Sequence, residues 1–153
     1  RRVLFRSRDA RDVRAGQTRD YIFGYTILND VSARDVQTAH KQWYFGKSLD
    51  GFTPIGPCIV TADAFADYPP RLGIRSFVNG EKRQDSNTAL QIFDIDHVIA
   101  ELSQGMTLKA GTIIATGTPA GVGMGMDPPQ FLKPGDVVRC EIDGIGTLTN
   151  LVK

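Results

Sequence analysis

Cysteine, histidine and tryptophan are scarce in this chain, and long apolar runs are missing altogether. Of 153 residues, two are cysteine, two histidine and one tryptophan. Cys58 and Cys140 stand apart, with no Cys-x-x-Cys between them, which argues against a zinc knuckle or a redox motif. They are expected to be two buried thiols in the reducing cytosol, so the chain is read as cytoplasmic. His40 and His97 fall on separate expected helices without metal-binding spacing and are read as structural. No apolar stretch approaches the roughly 18 to 20 residues of a membrane-spanning helix, so no membrane partner is expected.

Charge of either sign is also nearly absent in sum, the formal net being +1. Residues 1–20 nevertheless hold seven arginines against three aspartates. That balance would suggest a nucleic-acid arm. The heptapeptide RRVLFRS (1–7), however, is what AGA CGT GTG CTC TTC CGA TCT encodes, a string used as a sequencing-library adapter. Residues 1–7 are therefore expected to be a non-native leader, excluded from fold reasoning as a fusion scar would be. The argument for nucleic acid falls with them. Residues 8–153 are expected to be the C-terminal part of one domain that once continued upstream.

What the sequence does contain is enough for one core, with 41% hydrophobic residues. YIFGYTIL (21–28) reads as a strand buried on both faces. Ser32 and Asp35 have capping-box spacing for a helix over 33–41, which would align Arg34, Gln37 and Lys41 on one face. A loop rich in glycine and proline follows, then a short strand, CIVT. Asn79-Gly80 marks a hairpin. Ile95, Val98, Ile99 and Leu102 have helical spacing, with Asp94 as cap and Gly105 as stop. GTIIATG, DVVRCEI and GTLTNLVK are further strands, the last two joined at Asp143-Gly144. The echo of LKAGTII in LKPGDVV reads as two turns that each launch a strand. Some seven short strands and two helices predict a β-rich α+β fold.

Three places can carry chemistry. Asp30, at a strand end before a helix start, lies where unpaired N–H groups favour an ionised acid; capping or pairing with Arg34 is the competing explanation. Lys47, in a glycine-bearing loop among apolar residues, could stabilise an oxyanion, or be an ordinary surface lysine. ATGTPAGVGMG lacks the ending of a P-loop and the dinucleotide fingerprint. Its Gly117 backbone and Thr118 hydroxyl could still hold a carboxylate, unless its glycines serve turns alone. No Gly-x-Ser-x-Gly elbow is present.

Together GYTILNDVSARDVQ, GKSLDGFTPIGP, VNGEKRQDSNT, IFDIDHVIAELSQGMTLKAGTIIATGTPAGVG and LKPGDVVRCEIDGIGTLTN resemble the fumarylacetoacetate hydrolase family, in family order and spacing. The resemblance implies the mixed-sheet roll or sandwich of that family's C-terminal domain. It implies Asp30 as a ligand of Mg²⁺ or Mn²⁺ and Lys47 as the catalytic lysine that holds and polarises substrate. Arg34, Gln37, Gly117 and Thr118 would join Lys47 in binding a small 2-oxo acid. The implied activity is metal-dependent C–C hydrolysis or keto-enol and double-bond isomerisation of 2-oxo or β-diketo acids, of the kind used in aromatic catabolism. The alternatives are an oxaloacetate decarboxylase or tautomerase of the same family, or a non-catalytic anion-binding module. A homodimer is implied for the full-length protein. The family's upstream Glu-x-Glu pair and His/Glu lid have no counterpart before residue 21, so the chain alone is expected to bind metal poorly and to be inactive.

Overall fold

The structure, a computed structural model, describes residues 2–6, 8–39 and 41–153, and of 2–6 the backbone alone. His40 lies outside the described residues. Eight strands and two α-helices are described, arranged as two four-stranded sheets. The strands are β1 (Arg2–Arg6), β2 (Ile22–Leu28), β3 (Ile55–Thr61), β4 (Gly73–Val78), β5 (Glu81–Asn87), β6 (Ile114–Ala115), β7 (Val137–Ile142) and β8 (Gly146–Leu151). One sheet runs β3-β2-β1-β6 and the other β5-β4-β7-β8. Every described pairing is antiparallel. The β-rich α+β layout is as expected. Residues 2–6, which fall within the expected leader 1–7, pair with β2 and β6 in the first sheet.

Local chemistry accounts for most of these elements. Aromatic and β-branched residues fill β2, which is buried on both faces except at Phe23. Asn79 and Gly80 have φ of 50° and 85°, the left-handed pair that a two-residue hairpin between β4 and β5 requires. The two LK-x-G segments are indeed turns: Thr112 N donates to Lys109 O at 3.0 Å and Asp136 N to Lys133 O at 3.0 Å. Gly111 and Gly135 take the positive φ at their third positions.

Helix α2 (Ile95–Gly105) opens where the Asp94 carboxylate accepts from His97 N at 2.8 Å. Its buried Ile95 and Ile99 join Tyr25 and Ile27 of β2, Ile74 of β4 and Ile142 of β7 in a single core. Fully burying each such side chain contributes about 1.5–3 kcal/mol. The segment before β2 is fastened to α2 and to the chain beyond it. Ala10 and Leu108 exchange two backbone hydrogen bonds of 2.9 Å, and Val13 N donates to the Ser103 hydroxyl at 3.0 Å.

Some elements differ from expectation. Helix α1 spans only Arg34–Ala39, because Lys41 adopts φ 55°, a left-handed geometry that cannot continue a right-handed helix. Strand β3 begins at Ile55, inside the expected loop, and β6 is two residues long. The expected burial of both thiols is overturned: Cys58 is exposed and Cys140 half-buried. Cys58 belongs to β3, an edge strand of its sheet.

Candidate functional site

Strand β2 delivers Asp30 to a cleft of about 1080 Å³ lined by the segment after β2, by residues of β4, β5 and β7, and by the loop between β6 and β7. Just past the strand, Asn29 N donates to Pro54 O at 3.0 Å and Val31 N to Asn29 O at 2.9 Å, a tight turn that holds Asp30 at the cleft wall. The Ser32 hydroxyl is engaged by this turn, donating to the Asp30 carbonyl at 3.3 Å.

Lys47 reaches the same turn from a 3-10 turn over Phe45–Lys47. Its ammonium donates to the Asp30 carboxylate and, at 3.1 Å, to the Ser32 hydroxyl. The side chains of Lys47 and Asp30 are 23% and 14% exposed, so the pair is largely shielded from water. Gly46 makes this approach possible. A Cβ there would stand 2.9 Å from Ala33 O and from Gln37 Cβ, and Gly46 O accepts from Ala33 N at 2.8 Å. Only a residue without a side chain lets the lysine-bearing turn lie this close to α1.

On α1, the Arg34 guanidinium donates to Gln37 Oε1 at 2.7 Å. Arg34 lines the cleft, whereas buried Gln37 holds it from behind. The opposite wall is the loop after β6. Gly117 takes φ 97°, and Thr118 lines the cleft, accepting from Gln84 Nε2 at 2.9 Å. Gly121, at φ 103°, has no room for a Cβ, which would stand 2.1 Å from Arg83 O, so this loop is pressed onto β5.

The expected site residues thus gather in one region. Asp30, Arg34 and Thr118 line the cleft; Lys47 and Gln37 are bonded to its lining; Gly117 adjoins Thr118. Sequence reading missed Arg83 and Gln84, which both line the cleft although they are consecutive in a strand. A bulge explains this. The register passes from Ser76 opposite Gln84 to Phe77 opposite Lys82, leaving Arg83 as the extra residue. Alternation alone would have put Arg83 and Gln84 on opposite faces.

Arg34, Arg83, Lys133 and Lys153 line the space together with Asp30, Asp35 and Asp136, a small excess of cations with Asp30 itself engaged by Lys47. Asp136 is held below the usual carboxylate range by the Asn79 side chain and by Lys133 N. An anionic small molecule suits such a lining. A divalent metal does not fit these residues by themselves. Among the described residues no group of three or more His, Cys, Asp or Glu side chains could hold one, and the Asp30 carboxylate is engaged by Lys47. Mg²⁺ and Mn²⁺ require several oxygens at once.

Comparison with known proteins shows the family of the chain. The family described as Fumarylacetoacetate (FAA) hydrolase C-terminal matches residues 3–153, and the chain belongs to that family. It is 52% identical over 133 residues to the oxaloacetate tautomerase YisK of Bacillus subtilis, covering 87% of this chain and 44% of that protein. Among solved structures it is similar to a fumarylacetoacetate hydrolase from Exiguobacterium antarcticum, with 49% identity and TM-score 0.96 over 99% of this chain and 54% of that one. A 2-hydroxyhepta-2,4-diene-1,7-dioate isomerase from Mycobacterium marinum matches at 45% identity and TM-score 0.87, over 99% and 56%. The chain spans about half the length of the relatives it matches.

Proposed function

We propose that this chain carries the substrate-holding part of an active site for keto-enol or double-bond isomerisation of a small 2-oxo acid. The observation that carries the reading is the shielded Lys47–Asp30 pair, whose Asp30 lines a cleft that also presents Arg34 and Thr118. Keto-enol exchange removes a proton from the carbon beside the carbonyl and places one on the carbonyl oxygen. Negative charge builds on that oxygen in between. A fixed ammonium at Lys47 stabilises it, since such a donor in a water-poor site typically contributes about 10²–10³ in rate. Arg34, steadied by Gln37, and Thr118 with the Gly117 backbone hold the substrate carboxylate.

Oxaloacetate is the substrate to test first, because a relative with 52% identity is named for its tautomerisation. C–C hydrolysis is the second reading, supported by the likeness to a fumarylacetoacetate hydrolase. In either case Asp30 would lend one oxygen to Mg²⁺ or Mn²⁺ in the whole protein, with other ligands supplied from outside the described residues. A cytosolic setting suits the two reduced thiols, Cys58 and Cys140. A homodimer is part of the proposal, supported by the exposed apolar run of Leu90, Ile92 and Phe93; sedimentation of the whole protein tests it.

The deciding experiment follows the enol absorbance of oxaloacetate in a protein that carries this chain at its relatives' length. Lys47→Met should lower kcat/KM about 10²–10³-fold. An unchanged rate would remove Lys47 from the chemistry, and no enol conversion by the unaltered protein would leave the anion-binding module as the better account.

A further inference from the structure

We infer that Gln84 is a positioning residue that turns the Thr118 hydroxyl proton toward the bound carboxylate. Gln84 Nε2 donates to Thr118 Oγ1 at 2.9 Å and to the Pro119 carbonyl at 2.8 Å. A carbonyl oxygen only accepts, so the group facing Pro119 must be the NH₂ end of the amide. The other end agrees, because Gln84 Oε1 accepts from the Ser76 hydroxyl at 2.9 Å. Both Nε2 hydrogens are therefore committed. Thr118 Oγ1 must act as acceptor toward Gln84, and its single proton is left to donate elsewhere. Among the described residues no acceptor takes it.

Thr118 is exposed on the cleft wall, so that proton is presented to whatever anion occupies the space. Were the polarity reversed, the hydroxyl would spend its proton on the protein and show an anion only lone pairs. Two features of the fold enforce the arrangement. The bulge at Arg83 aims Gln84 into the cleft, and the close seat of Gly121 on the Arg83 carbonyl fixes the loop beside it. Gln84 need not touch substrate; it acts through Thr118.

This inference rests on the functional reading above for its ligand but not for its hydrogen bonds, and the test separates the two. In the isotope-labelled chain, both Gln84 side-chain amide protons should exchange with water at least about tenfold more slowly than those of an exposed glutamine. Thr118→Val should release one of them and leave the other slow. Free exchange of both in the unaltered chain overturns the assignment, whether or not any ligand binds.

Pyruvate, the smallest 2-oxo acid, then serves as probe in a double-mutant cycle. Gln84→Met should weaken pyruvate about tenfold in the native background and less than twofold in the Thr118→Val background. Equal losses in both backgrounds would mean that Gln84 does not work through Thr118, and would overturn the proposal. Absence of pyruvate binding to the unaltered chain would instead count against the 2-oxo acid reading, while the exchange result still decides the role of Gln84.

Discussion

Lys47 reaches back across 17 residues of sequence to place its ammonium on the carboxylate of Asp30, joining the end of β2 to the turn beyond α1. Both partners are mostly shielded, so neither is easily compensated by water when the other is removed. Lys47→Met should destabilise the chain by about 1–3 kcal/mol, the cost of taking a charged donor from a partly buried carboxylate. Adding Asp30→Asn should return part of that loss. Urea unfolding of the two single variants and the double measures the coupling, and strictly additive effects would show that the pair contributes nothing to stability.

Gly46 sets that pair's geometry by letting the Lys47 turn touch α1. Gly46→Ala should cost roughly 1–3 kcal/mol, as overpacking in a close contact does. It should also loosen the Lys47 contact, which a change in the Lys47 ammonium resonance would report. An unchanged melting temperature and spectrum would show that α1 yields freely.

Stability should fall at both ends of the pH range, for opposite reasons. Burial pushes the Tyr68 phenol up to about 12, with Thr18's hydrogen bond opposing and Asp96 nearby adding to the rise. The folded chain therefore holds this proton more tightly than the unfolded chain. That contribution is complete below the ordinary tyrosine value of about 10 and is lost as pH climbs through about 12. Tyr68→Phe should flatten the alkaline limb of a plot of Tm against pH.

At the acid end the sign reverses. Arg75 hydrogen-bonds Asp143 and Lys82 hydrogen-bonds Asp85, holding both carboxyls below their usual range. Their contribution is present above the ordinary carboxylate value of about 3.9 and disappears as pH falls below it. Arg75→Met should remove part of the acid limb; an acid limb identical to that of the native chain would assign acid unfolding to other groups.

The hairpin at Asn79-Gly80 and the α2 helix capped by Asp94 were legible because their signals are local: a dipeptide that tolerates positive φ, and apolar residues at helical spacing. Asp30 and Lys47 were visible as candidates, but their pairing came through tertiary contact that no spacing in the sequence encodes. Arg83 and Gln84 were missed because a one-residue bulge breaks the alternation by which strand faces are read. Cys58 was misjudged since an apolar strand does not announce whether it lies at the edge of its sheet. The end of α1 was overrun because Lys41 carries no glycine signal for its left-handed backbone.

Metal addition separates the described residues from a complete cation cage. Calorimetric addition of Mg²⁺ or Mn²⁺ to this chain should give affinity no tighter than millimolar, since Asp30 alone supplies one carboxylate and already holds Lys47. Micromolar binding would mean that other oxygens of this chain converge on the ion.

The central claim, that one cleft between Asp30–Lys47 and Thr118 receives a 2-oxo acid, is tested most directly by mapping pyruvate onto the labelled chain by NMR. The account predicts saturable shift changes concentrated at residues 30–34, 47 and 117–118, and their loss in Lys47→Met. Changes confined to another surface, such as the smaller cleft between Tyr68 and Gln91, or none at any concentration, would contradict it.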